Sequence, residues 1–529
     1  MAATATSERD DRAQPPAKTS RRMSPVRIIV ALVVVSALGF FGYMGVQSWA
    51  GAQAAASVDP WFAGYVDVTA TPSLAFEAPA TPAGRDVVLS FIVAGTDAPC
   101  TPTWGTYYTV EEAAEGLDLD RRVARVKQLG GEVVVSFGGA INNELSTSCL
   151  EPDTLVEAYA DVLTHYGVTT IDLDVEGVNL TDTAAGERRA AAMAALQKQV
   201  DGLTVWMTLP VAPTGLTEDG TTAVGQMLAA GVDLAGVNLM TMDYGDSRDA
   251  SMSMADASIA ALEATHAQML TLYKLEGVTL SDETVYSKMG ATPMIGQNDV
   301  RGEIFTLSDA GQLQAFATTN KLGRLSMWSL NRDQTCGANF PDVTRVSDAC
   351  SGVNQKGFTF AEALGEGFTG RPQQGGETET TSEPIPEVSV DDPKTSPYPI
   401  WVEAAAYPKG TKIVWHGNVY EAKYWSSGDL PDDPVLQASE TPWSLVGPVL
   451  PGDIPFVQPT LPVGTYPAWD GATVYNKGDR VLLDELPFEA KWYSQGDSPE
   501  AAALSQGSSP WVILTEEQIA EAKAAIPAE

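Results

Sequence analysis

The segment from Thr169 to Gly177 reads Thr-Thr-Ile-Asp-Leu-Asp-Val-Glu-Gly. Side chains of an extended strand alternate between faces, so Asp172, Asp174 and Glu176 share one side while Ile171, Leu173 and Val175 share the other. Same-face neighbours stand roughly 6.5–7 Å apart, close enough for their ionisations to couple. Buried together, three carboxylates carry a heavy desolvation and repulsion cost unless they share protons. One of them can then stay protonated near neutral pH, which is what a general acid requires. Glu176, at the C-terminal end of the strand, is the best placed to be that acid. The plain alternative is an amphipathic edge strand with a solvated acidic face. A Ca²⁺ loop fits poorly, because the intervening residues are apolar.

Such a strand needs a frame that turns its acids inward. From about Trp61 to Phe368, short apolar runs alternate with helical stretches. Strands are predicted at 62–66, 87–93, 133–137, 170–175, 204–209, 237–240, 289–295 and 325–330, with helices at 119–129, 154–166, 184–200, 221–230, 255–275 and 307–318. This alternation predicts an α/β fold, a (β/α)₈ TIM barrel over residues 59–368, with an open doubly wound sheet as runner-up. In a barrel the β-branched side of the acidic strand meets the helices, and the acids point toward the end where active sites sit.

Composition narrows the partners. The 529 residues hold 68 Asp+Glu against 32 Lys+Arg, a net charge of −36, and no basic cluster follows the first 27 residues. That balance argues against nucleic acid. With 3 His in separate segments and no Cys within four residues of another, zinc spacings and a His-based triad are nearly excluded. No cofactor or metal is expected.

Residues 1–27 read as a cytoplasmic segment carrying Arg21, Arg22 and Arg27, and Ile28 to Val46 is an uncharged stretch of about bilayer length. No Lys or Arg follows until Arg85, so the positive-inside rule exports the rest. Ala52-Gln53-Ala54 also offers a small-x-small cleavage site, leaving both a membrane anchor and a removed signal peptide open. The membrane is expected to be met only through 28–46, with the remainder extracellular, secreted or tethered, and monomeric. In an oxidising compartment the 4 Cys form an even set. Proximity in sequence favours Cys100 with Cys149 and Cys336 with Cys350; free buried thiols are the alternative.

Residues 369–396 lose apolar periodicity and read as a solvated, disordered linker. A repeat without gaps follows. Trp401, Tyr407, Lys409, Gly410, Tyr420, Ala422, Lys423, Gly428, Asp429, Pro442 and Trp443 recur as Trp469, Tyr475, Lys477, Gly478, Phe488, Ala490, Lys491, Gly496, Asp497, Pro510 and Trp511. Two small all-β modules are predicted, at 397–447 and 465–515, joined by a stiff Pro-rich spacer at 448–464. A short helix is predicted from Thr515 to Ala525. Tyr424-Trp425 and Trp492-Tyr493 are adjacent aromatics in apparent strands, so one of each pair is expected in the core and its neighbour exposed as a stacking platform.

The acidic strand resembles the strand-four signature of family 18 glycoside hydrolases, the chitinase family, Asp-Gly-x-Asp-x-Asp-x-Glu, with Asp172, Asp174 and Glu176 at its last three acidic positions. Ser136-Phe137-Gly138-Gly139 is similar to the family's Ser-x-Gly-Gly, Asn238 to Gly245 (Asn-Leu-Met-Thr-Met-Asp-Tyr-Gly) to its strand-six motif, and Met327-Trp328 to its strand-eight Trp. Thr169 and Thr170 replace the opening Asp-Gly, and Met242 stands where many members carry a substrate-binding Tyr.

The resemblance implies a substrate-assisted, retaining reaction, an exception to the two-carboxylate scheme. Glu176 is then the acid/base, Asp174 orients the substrate acetamide, Asp172 tunes Asp174, and Asp243 is a nearby acidic contact. Trp328 becomes the apolar floor beneath the sugar, Tyr244 a candidate replacement hydroxyl, and Gln297 and Asn298 candidate sugar contacts. Trp206 reads as core filling, and Ser136, Gly138 and Gly139 as structural. The repeats resemble chitin-binding modules of carbohydrate-binding families 5 and 12. Hydrolysis of chitin, a neutral polymer, is the function implied. An endo-β-N-acetylglucosaminidase acting on glycoprotein glycans and a catalytically silent chitin-binding lectin are the alternatives.

Overall fold

The computed structural model describes residues 59–337, 345–372, 391–403, 405–432, 441–457, 460–499, 509–514 and 516–525. Eight parallel staves frame its first part, with shorter strands in the loops between them: β1 (Trp61–Phe62, continued as Gly64–Asp67), β2 (Val87–Ala94), β3 (Val133–Gly138), β4 (Thr170–Asp174), β5 (Thr204–Ala212), β6 (Leu234–Met240), β7 (Met289–Thr292) and β8 (Arg324–Leu325). Each pairs in parallel with its sequence neighbours. The circle closes through β1, whose Trp61 and Phe62 pair with Arg324 and Leu325 while Gly64 to Asp67 pair with Val87 to Ser90. This is a closed barrel rather than an open sheet.

The crossovers are α1 (Val110–Gly116), α2 (Leu119–Gln128), α3 (Pro152–Tyr166), α4 (Thr183–Gln199), α5 (Glu218–Ala229), α6 (Met254–Leu275) and α7 (Leu307–Asn320). Local chemistry sets their ends. Asp182, Thr217, Ser253 and Thr306 each accept a hydrogen bond from the backbone N–H three residues on, and Gly167 stops α3 in the left-handed region. The link from β1 to β2 holds only a short 3₁₀ turn, Pro82–Gly84. Pro72, Pro79 and Pro82 punctuate it and deny backbone donors to a longer helix.

Two apolar layers follow from strand alternation. Ile171, Leu173, Val205, Met207, Val237 and Leu239 face the helices in the main core. Trp61, Ala63, Tyr65, Val88, Val134 and Trp206 form a smaller cluster inside the barrel. Trp206 stands edge-on to Trp61 at 5.7 Å and fills the interior, as its sequence context suggests.

Module 1 is an antiparallel sheet of β9 (Lys412–Trp415), β10 (Asn418–Ala422) and β11 (Trp443–Pro448); module 2 repeats it with β12 (Arg480–Leu483), β13 (Leu486–Ala490) and β14 (Trp511–Ile513), followed by α8 (Glu516–Ala524). Tyr407 packs edge-on to Trp443 at 5.1 Å, and Tyr475 to Trp511 at 4.9 Å. The tyrosine hydroxyls accept from Val402 N and Asp470 N, and the indoles donate to Asp429 O and Asp497 O. A core this small is held by buried aromatics, and the polar ends of these two Tyr–Trp pairs are satisfied, whereas Trp401 Nε1 and Trp469 Nε1 have no partner among the described residues.

The boundaries differ from those drawn on composition. Contacts with the barrel continue to Pro372, whose carbonyl accepts from Thr170 Oγ1, and Arg371 pairs with Glu132 at 3.0 Å. Module 1 is anchored from Asp391, which accepts from the backbone of His416 and Gly417. Asp453, within the predicted spacer, is bonded to Arg121 of the barrel. The segments 1–27 and 28–46 lie outside the described residues. Among those described, no helix is long and apolar enough to cross a membrane.

Candidate active site

β4 carries the acids into the barrel. Thr170, Asp172 and Asp174 face the interior, and Glu176, just past the strand, keeps extended torsions (φ −142°, ψ 172°) that continue the alternation. Asp172 is fully buried. Its Oδ1 accepts from Thr208 Oγ1 at 2.7 Å and Arg324 Nη1 at 2.6 Å, and its Oδ2 accepts from Tyr65 OH at 2.8 Å and Ser136 Oγ at 2.7 Å. Donors from β1, β3, β5 and β8 thus converge on one carboxylate, meeting the requirement that a buried charge be paired and hydrogen-bonded.

Asp174 is handled differently. It is 5% exposed, and its Oδ1 has no hydrogen-bond partner among the described residues. Burial, then the charges of Glu176 and Asp172, push it well above the ordinary carboxylate range, with Arg324 opposing. Glu176 is raised by burial and then by the charge of Asp243. Asp243 is itself raised by burial, against a backbone hydrogen bond from Val300 at 2.9 Å. A ladder of acids runs outward from the salt-bridged Asp172 to members that burial shifts upward from the ordinary carboxylate range.

Gly138 explains the Ser-Phe-Gly-Gly spacing. Its φ is +113°, and a Cβ there would stand 1.9 Å from the carbonyl oxygen of Asp174, to which Gly139 N donates at 3.0 Å. Ser136 does more than permit packing, since its hydroxyl holds Asp172.

Trp328 is half-buried, stacked on Phe91 at 5.4 Å and 18°, and 6.1 Å from Tyr65, whose hydroxyl donates to Asp172. Met242 is half-buried in the loop after β6. Tyr244, offered as a replacement hydroxyl, is not brought to the acids. It is buried in the core between sheet and helices, and its hydroxyl donates to Ser258 Oγ at 3.3 Å. Asn298 is also corrected: its amide donates to Met294 O and Gly296 O, and its Oδ1 accepts from Asp243 N at 3.3 Å, so it supports Asp243 from within. Gln297 is buried in a short hairpin with Ile304.

Three participants escaped the sequence reading. Phe91 lies in β2 among apolar residues that look alike. Glu303 accepts from Tyr244 N at 2.9 Å and Gly245 N at 3.1 Å, fixing the loop that holds Asp243 in a left-handed turn at φ 50°. Arg324 could have been found: the alternation that turns Trp328 inward turns Ser326 and Arg324 inward too. The guanidinium lies 4.9 Å from the Trp61 ring and 5.6 Å from those of Tyr65 and Trp206.

With this geometry in view, likeness to known proteins carries meaning. No protein-family model matches the chain. It is 37% identical over 257 residues to a probable bifunctional chitinase/lysozyme of Escherichia coli, covering 47% of this chain and 28% of that one. It is 36% identical over 251 residues to endochitinase 11 of Metarhizium anisopliae, covering 46% and 47%. The catalytic domain of a hyperthermophilic chitinase from Pyrococcus furiosus superposes with a TM-score of 0.50 at 28% identity, over 59% of this chain and 98% of that one. This chain is similar to chitinases. It spans less than half the length of the two curated relatives.

Cys100 is bonded to Cys149 and Cys336 to Cys350. The first bridge ties the loop after β2 to the loop after β3, both on the rim that carries the acids. In the modules, Tyr424 and Trp425 are 50% and 58% exposed, and Trp492 and Tyr493 47% and 61%. Both members of each pair face solvent, against the expectation of one in and one out. The strands end at Ala422 and Ala490, and the turn that follows abolishes the alternation.

Proposed function

We propose that this chain is an endo-acting chitinase, hydrolysing β-1,4 links between N-acetylglucosamine units with retention of configuration. The observation that carries the reading is the ladder Asp172–Asp174–Glu176 inside the barrel mouth, its lowest member salt-bridged and its upper two raised from the ordinary carboxylate range, with the half-buried Trp328 packed on Tyr65, which donates to Asp172. The likeness to chitinases supports it. The sugar's C–H face stacks on Trp328, with Phe91 backing the indole. Glu176 gives its proton to the glycosidic oxygen as that bond breaks, and the carbonyl oxygen of the substrate's own N-acetyl group closes on the anomeric carbon. Asp174, whose Oδ1 is free to accept, receives the acetamide N–H and stabilises the cyclic cation. Asp172, clamped by Arg324, holds a negative charge beneath Asp174. Glu176 then takes a proton from water as the water opens the ring.

The exposed aromatic pairs of the two modules bind the polymer surface, and two sites on one chain raise its apparent affinity for an insoluble substrate. Export to an oxidising compartment agrees with the two disulfides. The test is product analysis: the exported chain is incubated with chitin and, separately, with a high-mannose glycopeptide. Release of short N-acetylglucosamine oligomers from chitin, with the glycopeptide intact, is the expected result. Cleavage of the glycopeptide alone would move the assignment to an endo-β-N-acetylglucosaminidase, and cleavage of neither would leave a lectin.

A further inference from the structure

The repeat aligns Tyr398, Val414 and Val446 of module 1 with Tyr466, Leu482 and Leu514 of module 2. In each copy these side chains form an apolar face distinct from the aromatic core. In module 2 the chain past Leu514 becomes α8, and Ile519 and Ala522 of that helix close the face. The matching stretch of module 1, 447–457, carries Pro448, Pro451 and Pro455. Proline has neither the N–H nor the room for a helix interior, so no such helix forms there.

A helix of the barrel approaches this side of module 1 instead. α2 lies alongside β11. Asp118, at the start of α2, accepts from Lys412 Nζ and, at 3.4 Å, from Tyr398 OH. Arg121 makes a two-pronged bond to Asp453 at 2.8 and 3.0 Å and a third to Pro448 O at 2.6 Å. The Arg121 and Asp453 side chains are only 8% and 12% exposed, unlike a solvated surface pair, and the fork geometry fixes orientation as well as distance. Gly447 lies so near that a Cβ there would stand 2.4 Å from the Arg121 carbonyl; the second copy has Thr515 at that position.

We infer that module 1 is seated on the barrel by the same face with which module 2 holds its own helix, so that Tyr424 and Trp425 are carried at a fixed station by the catalytic body. The value of that station for hydrolysis rests on the chitinase reading above. A seated module pays no ordering entropy when polymer binds, whereas a tethered one does.

Distance measurement between spin labels on the full chain tests this. Cysteines introduced at Asp201 and Lys409, both exposed, carry the labels, since the native cysteines are paired. A single narrow distance distribution is expected. Arg121→Asp or Asp453→Arg alone should broaden it, with the barrel's circular dichroism unchanged, and the double exchange should narrow it again. A broad distribution in the parent, or one indifferent to the exchanges, overturns the seat.

The ratio of solid-chitin to soluble-oligomer turnover should fall several-fold in each single variant and recover in the double. An unchanged ratio alongside a broadened distance overturns the functional consequence. A chain that hydrolyses no chitin yet keeps a narrow, exchange-dependent distance refutes the proposed function and supports the seat.

Discussion

Arg324 Nη1 donates to Asp172 Oδ1 at 2.6 Å, with both side chains wholly shielded from solvent at the centre of the barrel. The pair sets the charge at the foot of the acid ladder. Removing one partner of a buried ion pair leaves the other uncompensated, which typically costs about 3–5 kcal/mol. Arg324→Met should therefore lower stability by about that amount, while Arg324→Lys, which keeps the charge and loses the fork, should lose less. Urea unfolding at neutral pH checks the order.

Asp174 makes a prediction about pH. In the unfolded chain it titrates near the ordinary aspartate value of about 3.9. In the folded barrel it holds its proton to higher pH because of burial and of Glu176 and Asp172. Between the two values the folded state binds the extra proton, so this contribution to stability is fully present below the unfolded value and is lost as pH rises through the folded one. Asp174→Asn cannot ionise. Its melting temperature relative to the parent should climb from pH 4 upward, and turnover should fall by at least tenfold. A difference that is flat or falls with pH would contradict the assignment.

Tyr244→Phe separates two readings of the Met242 substitution. The Tyr244 hydroxyl is committed to Ser258 inside the core, so its loss should cost about 1 kcal/mol of stability and leave KM for soluble oligomers within twofold. A large rise in KM would return that hydroxyl to the substrate.

The module aromatics divide by burial. Trp443 and Trp511 are 2% and 0% exposed, and replacing either with Ala should cost about 3–5 kcal/mol and unfold its module. Trp425→Ala and Trp492→Ala remove half-exposed rings. They should shift stability by no more than about 0.5 kcal/mol and weaken adsorption to solid chitin several-fold. Depletion assays beside thermal melts distinguish the two classes.

The barrel was legible because each stave is a short apolar run between helical repeats, and because Asp172, Asp174 and Glu176 sit at strict two-residue spacing. Arg324 was harder to see, since its partner lies in β4, far away in sequence, and only strand parity hints at it. Tyr244 and Asn298 were misassigned because a loop's direction is set by tertiary partners: Ser258 turns one ring into the core, and Asp243 N engages the other's amide. The exposed aromatic pairs broke the two-residue rule where their strands end. The seat of module 1 was hidden because Arg121 and Asp453 belong to segments that read singly as a polar helix face and a spacer.

The most direct test of the account is single-turnover hydrolysis of a chitin oligomer by Glu176→Gln. Glutamine keeps the shape of the side chain and cannot deliver a proton, so the account predicts loss of product formation by at least a thousandfold with oligomer binding retained. Turnover near that of the parent would contradict it, because the proton would then come from elsewhere.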